Sequence, residues 1–358
     1  MVDYTMVFDR VRGSLLGGAV GDALGWPIEF LQIGQIRERY GESGVTGFLP
    51  QHDETAPQQI TDDTQMTLFT AEGLLRCAPG ADPVPALRRA YLRWLQTQRE
   101  DESRPPADGW LTSLPFLYAV RAPGNACMTG LNQQAVGYVA PRPLGEKGQV
   151  NHDSKGCGTV MRSAPFGLIG AGPEWAFSTA ARAAQLTHGH PTGYLAAGAF
   201  AALIDRVVSG TELSIAVQQT ISQLSSFPAS KTATAALARA VDLAEHPATP
   251  EQVAQVGQGW IAEECLAVAV YCALIAARTG DVRTALLLSV NHSGDSDSTG
   301  AVTGNLLGAV HGLPALPMDW VSRVEGRDTL IQIADDLVTT FGFGNRTAST
   351  TRHPLESP

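Results

Sequence analysis

Apolar positions recur along most of this chain at the three-and-four spacing of a helix, and clean two-residue alternation is scarce. The pattern predicts helices over 11–25, 62–76, 85–98, 174–186, 192–209, 213–225, 233–245, 262–278, 282–288, 299–310 and 319–340. Their alanine and leucine content suits the helical state. The stretch 192–209 is punctuated at both ends, with Pro191 at the start and Gly210 just past the end. No composition shift marks a domain boundary, so 1–344 reads as one large all-α domain and 345–358 as a loose tail. Polar or Gly/Pro-rich segments interrupt the helices at 41–60, 99–109 and 140–158. Irregular stretches of more than about 12–15 residues are usually functional or disordered. Two of the three run straight into the most unusual residues of the chain, which favours function.

Two helical segments carry a glycine stripe. Gly13, Gly17, Gly21 and Gly25 lie four apart, as do Gly300, Gly304, Gly308 and Gly312. That spacing stacks them on one helical face. Each interior glycine costs about 1 kcal/mol against alanine. A stripe therefore implies a compensating gain, which close backbone approach between central helices would supply.

Charge and cysteine usage narrow the class of function. Lys plus Arg number 25 against 35 Asp plus Glu, a net charge of −10. Such a surface disfavours non-specific binding to nucleic acid or anionic membranes. The longest apolar run, Cys265 to Ala277, is shorter than the roughly 20 residues a membrane span needs. Glu263, Glu264 and Arg278 flank it, so it reads as a buried helix. Five cysteines, an odd number without a CxxC pair, form no disulfide framework. Asp3, Asp9 and Arg10 interrupt any opening signal peptide. Asn291-His-Ser293 and Asn345-Arg-Thr347 match the glycosylation pattern without other signs of secretion. The expectation is a cytoplasmic protein with reduced thiols.

The chemistry-bearing residues are clustered. Thr61-Asp62-Asp63-Thr64 opens an apolar helix, where Thr61 is a natural N-cap. One aspartate would complement the helix dipole; two adjacent carboxylates repel each other unless a cation sits between them. Gly294-Asp-Ser-Asp-Ser-Thr299 repeats the arrangement before the second striped helix. Asp295 begins a spacing that resembles a calcium loop, but the twelfth position is Leu306, which cannot ligate, so an EF-hand is excluded. Together the clusters offer four carboxylates and the hydroxyls of Thr61 and Ser298. This hard-oxygen set suits Mg²⁺, Mn²⁺ or Ca²⁺ rather than Zn²⁺. Four carboxylates are shared better by two ions about 3.5–4 Å apart than by one.

Other residues carry weaker signals. Lys155-Gly-Cys-Gly158 forms a turn whose backbone N–H groups can bind phosphate, although it is neither a Walker A loop nor a dinucleotide fingerprint. Cys157 lacks a triad signature and reads as a packing residue. His188 fits helix entry or a substrate contact. Trp260 fits the core or a stacking surface. Glu29, among Trp26, Pro27, Ile28 and Phe30, needs a partner or a task.

Taken in order, the segments 13–30, 61–68, 155–168, 187–200, 257–267 and 294–309 resemble the ADP-ribosylglycohydrolase family. The resemblance implies a single orthogonal helical bundle with a central dinuclear site holding two Mg²⁺ (or Mn²⁺). It makes Thr61, Asp62, Asp63, Asp295, Asp297 and Ser298 the metal ligands, and no ligand position is missing. It sets Asp62, Asp63 or Glu29 as the group that takes a proton. Lys155, Gly156, Cys157, Gly158 and His188 fall where the family holds the diphosphate and ribose, and Trp260 falls on the adenine side. The implied substrate is an ADP-ribosylated protein, with ADP-ribosylarginine first, and the product is ADP-ribose. ADP-ribosylserine, O-acetyl-ADP-ribose and ADP-ribosylated nucleic acid are the other candidate substrates. A non-catalytic ADP-ribose-binding protein is the alternative from another class.

Overall fold

The structure, a computed structural model, describes residues 4–51, 53, 55–103, 108–342 and 352–356. Among them the chain forms sixteen α-helices and no strand. The first third contains α1 (Tyr4–Gly25), α2 (Ile33–Tyr40), α3 (Asp62–Arg76), α4 (Pro83–Thr97) and α5 (Asn125–Val136). The middle contains α6 (Ala164–Leu168), α7 (Pro173–Ala184), α8 (Pro191–Val208), α9 (Leu213–Ser225), α10 (Lys231–Leu243) and α11 (Pro250–Val256). The last third contains α12 (Ala262–Thr279), α13 (Val282–Val290), α14 (Ser296–His311), α15 (Met318–Val321) and α16 (Arg327–Phe341).

The two glycine-striped helices, α1 and α14, pair antiparallel at the centre. Gly13, Gly17, Gly21 and Gly25 face Gly308, Gly304, Gly300 and Ser296. A Cβ on Gly17 or Gly21 would fall on the carbonyl of Gly304 or Gly300, and one on Gly304 would fall on that of Gly17. Only glycine lets the backbones approach this closely. α1 is buried on nearly all sides from Val11 to Gly25, as is α14 from Ser296 to Ala309. That is the expected setting for helices without a polar face. The pairing sets the C-terminal end of α1 beside the N-terminal end of α14, and so brings Glu29 to the Asp295–Ser298 turn.

α8 is buried along its whole length, and α12 carries the apolar run as a core helix. No described helix is long and apolar enough to cross a membrane. The five cysteines are unbridged. Asn291 is buried, accepts from the Val45 N–H at 2.8 Å and donates to its carbonyl at 2.9 Å, so it is a structural residue. Asn345-Arg-Thr347 lies outside the described residues.

The structure differs from the sequence pattern in identifiable places. α1 begins seven residues earlier than the apolar repeat, and the stretch 319–340 divides into α15 and α16 around Gly326, whose φ of 70° is a left-handed turn. Most of 345–358 also lies outside the described residues. Its described part, 352–356, packs against the body rather than standing loose. His353 is buried against Asp336, and Glu356 pairs with Arg76, Arg89 and Arg93.

Candidate functional site

Three chain segments converge on a cleft of about 410 Å³. Glu29 and Phe30 come from the turn after α1. Asp62 and Asp63 come from the first turn of α3, and Asp295, Asp297 and Ser298 from the start of α14. Helix N-termini favour carboxylates, because their first N–H groups lack intrahelical partners. Asp295 is the N-cap of α14 and accepts from the Ser298 N–H at 3.3 Å, while Asp297 accepts from the same N–H at 2.9 Å. Thr61 caps α3, accepting from the Asp63 N–H at 3.3 Å.

Asp22, a residue that the sequence pattern did not single out, fixes the α3 end from within α1. Its carboxylate is fully buried. It accepts from the Thr61 N–H at 3.0 Å, the Thr64 N–H at 3.2 Å and the Thr64 hydroxyl at 2.5 Å. The available signal was one acid inside an otherwise apolar, glycine-striped helix, which must have partners. On the other side, Gly124 N–H donates to Asp62 Oδ2 at 3.2 Å. That contact adds the loop 122–125, which carried no sequence signal, to the cleft wall.

The carboxylates crowd one another. Oxygens of Glu29, Asp295 and Asp297 lie within 4.8 Å of each other. Ser298 Oγ donates to Asp63 Oδ1 at 3.3 Å. Asp63 Oδ2 and Glu29 Oε2 are buried without a partner. Burial, then the charge of Asp297, pushes Asp22 up to about 7 and Glu29 up to about 10. Burial likewise raises Asp62, Asp63 and Asp295 well above the carboxylate range, and Asp297 above it. Orphaned hard oxygens in a repelling cluster fit a divalent cation, which would supply both the missing partner and the missing charge. Glu29, expected as a candidate to take a proton, is the residue whose oxygen joins Asp295 and Asp297 in this group.

A pH dependence follows. Without divalent cations the folded chain retains protons on Asp22 and Glu29 that the unfolded chain, with values near 4, releases. Stability from these groups is complete below about pH 4 and is lost as pH rises through 7 and then 10. In EDTA the melting temperature should fall between about pH 6 and 9, and saturating Mg²⁺ or Mn²⁺ should remove that decline. A melting temperature in EDTA that does not drop over this range would contradict the cluster's electrostatics.

The remaining sequence candidates separate into two groups. Cys157, Gly158 and Trp260 line the cleft; Lys155, Gly156, His188 and Thr61 do not. The 155–158 turn pairs with 260–262: Cys157 N–H donates to the Trp260 carbonyl at 3.1 Å, and Ala262 N–H to the Lys155 carbonyl at 2.9 Å. The Cys157 N–H, a candidate phosphate donor, is therefore already engaged. Lys155 is paired with the buried Glu263. His188, expected as a substrate contact, is buried in this structure. It is 2 % exposed, lies beneath the glycine turn, and shares a 2.8 Å hydrogen bond with Thr187 Oγ1. Burial, then Arg162, lowers it to about 3, so it stays neutral as a support for the turn. A Cβ on Gly158 would sit 3.2 Å from this ring and 2.8 Å from Cys127 Sγ, which explains the glycine.

Trp260 is 36 % exposed and stacks on Phe30, with centroids 5.3 Å apart and planes at 21°. Phe30 has φ 66° and Ala122 has φ 46°. Backbone in the left-handed region is costly for such residues and concentrates at functional sites.

Comparison with known proteins matches residues 3–345 to the profile of the ADP-ribosylglycohydrolase family. The chain is 26% identical over 327 residues to ADP-ribosyl-[dinitrogen reductase] glycohydrolase of Rhodospirillum rubrum, covering 89% of this chain and 91% of that protein. It is 24% identical over 332 residues to ADP-ribosylarginine hydrolase Tri1 of Pseudomonas putida, covering 92% and 78%. A solved structure titled ADP-ribosylglycohydrolase-related protein complex superposes with a TM-score of 0.61 at 25% identity, covering 95% of this chain and all of that one.

Proposed function

The chain belongs to the ADP-ribosylglycohydrolase family, and on that premise we propose that it hydrolyses the N-glycosidic bond between ADP-ribose and an arginine side chain. The observation that carries this reading is the convergence of five carboxylates in one cleft, two of them with unpartnered buried oxygens. The arginine linkage suits the cleft because its leaving group is a guanidine, and a wall of carboxylates attracts the cationic form.

Hydrolysis breaks the bond from the anomeric carbon to the guanidino nitrogen and forms one to a water oxygen, through an oxocarbenium-like state. Two Mg²⁺ or Mn²⁺ ions, held by Thr61, Asp62, Asp63, Asp295, Asp297 and Ser298, would supply Lewis acidity and an anchor for ribose hydroxyls. Asp62, Asp63 or Glu29 takes the water proton, and the nitrogen leaves with a proton in exchange. The carboxylates stabilise the developing positive charge. Phe30 and Trp260 offer a planar apolar surface at the cleft for a base.

The test is release of ADP-ribose from ADP-ribosylarginine with and without Mg²⁺, beside ADP-ribosylserine and O-acetyl-ADP-ribose. Faster metal-dependent turnover of the arginine substrate supports the proposal. Binding of ADP-ribose without turnover of any substrate would make the chain a binding protein instead.

Glu29→Gln is a sharper probe, because glutamine resembles the protonated acid. A role at the reacting atoms predicts a kcat lower by roughly 10²-fold or more with the melting temperature nearly unchanged. Loss of stability with kcat per folded molecule retained would remove Glu29 from the catalytic set.

A further inference from the structure

Cys157 is the one side chain of the glycine turn that touches the carboxylate cluster among the described residues. Its Sγ donates to Asp295 Oδ2 at 2.8 Å and accepts from Ser298 Oγ at 3.6 Å. The other Asp295 oxygen, Oδ1, accepts from the Ser298 N–H at 3.3 Å. Both oxygens of this carboxylate are thus held by the chain itself. The Cys157 main chain is held in place, its N–H donating to the Trp260 carbonyl at 3.1 Å. Across the cleft the 2 % exposed Asp63 retains an oxygen with no partner.

We propose that Cys157 is a positioning residue, whose S–H fixes the Asp295 carboxylate so that its remaining lone pairs meet Glu29 and Asp297, and which thereby sets the affinity of the site for a divalent cation. The proposal rests on the metal reading of the cleft. Groups that hydrogen-bond to a ligand orient it and typically govern metal affinity by about 10–100-fold. Toward the carboxylate the thiol acts only as a hydrogen-bond donor. It bridges the turn and Asp295 without entering the reaction. The same bond connects the turn that walls the cleft to the ion-binding end of α14. Loss of the thiol would therefore loosen both together.

The test measures Mn²⁺ binding to the full chain by electron paramagnetic resonance, without substrate. Cys157→Ala should weaken Mn²⁺ affinity about 10-fold or more, and Cys157→Ser, which keeps a donor, should stay within about 3-fold of wild type. Melting temperatures in EDTA accompany the titrations, since a packing role would lower these and leave the affinity of the folded fraction intact. Wild-type affinity in Cys157→Ala overturns the proposal alone, as does a serine variant as weak as the alanine one. A wild-type chain that binds no Mn²⁺ overturns the metal reading and this proposal with it.

Discussion

Asp297→Ala is expected to abolish turnover, with a loss of roughly 10³-fold or more. That corresponds to about 4 kcal/mol of transition-state stabilisation, within what a bound divalent cation contributes. Asp297 lies at the centre of the cluster: its charge raises Asp22, Glu29, Asp62, Asp63 and Asp295. Removing it therefore has a second, opposite effect. In EDTA near pH 8 the variant should melt higher than the wild type, because the remaining carboxylates are relieved of a buried neighbour. Lost activity with raised metal-free stability distinguishes a ligand from a residue that merely maintains the fold. Asp63→Ala should lose turnover to a similar degree, and full Mg²⁺-dependent activity in that variant would refute the assignment.

Gly304→Ala is expected to be strongly destabilising for a change of one methyl group. The new Cβ would fall on the Gly17 carbonyl, which belongs to the backbone of the opposing helix and has no rotamer with which to yield. Overpacking of flexible cores costs about 1–3 kcal/mol, and a backbone clash belongs at or above the top of that range. Alanine's helix propensity returns only about 1 kcal/mol, so the clash wins. The melting temperature should drop by about 3 °C or more. Gly34→Ala in α2 is the control. Its Cβ would meet nothing within 4 Å, so propensity alone acts and stability should rise slightly. A Gly304→Ala variant as stable as wild type would mean that α1 and α14 are not in backbone contact.

The helices with the strongest apolar repeats were legible in the sequence. Asp62–Arg76 and Leu213–Ser225 run over the residues that the pattern predicts. α2, α5, α6 and α11 were missed because they are short, or because their sequences, as in Asn125–Val136, mix glycine, asparagine and glutamine with few apolar residues. The glycine spacing foretold the central pair, but period four cannot say that the helices run antiparallel. The aspartate clusters were legible because adjacent acids at a helix start are costly without a reason. The place of His188 beneath the glycine turn was not legible, because a histidine before an apolar helix has the same sequence appearance whatever it packs against. Asp22 and the 122–125 loop contribute through contacts made only in three dimensions, 39 residues from Asp22 to Thr61 and 62 from Asp62 to Gly124.

The antiparallel pairing of the first and fourteenth helices also governs how the protein is made. About 270 residues separate Gly25 from Ser296, and a ribosome adds about 5–20 residues per second. The nascent α1 therefore waits on the order of tens of seconds for the surface that buries it. Closing so long a loop is entropically costly and slow, and the contacts that reward it come last. N-terminal fragments ending before α14 should accordingly be aggregation-prone. The carboxylate cleft cannot be completed on the ribosome before α14 has emerged.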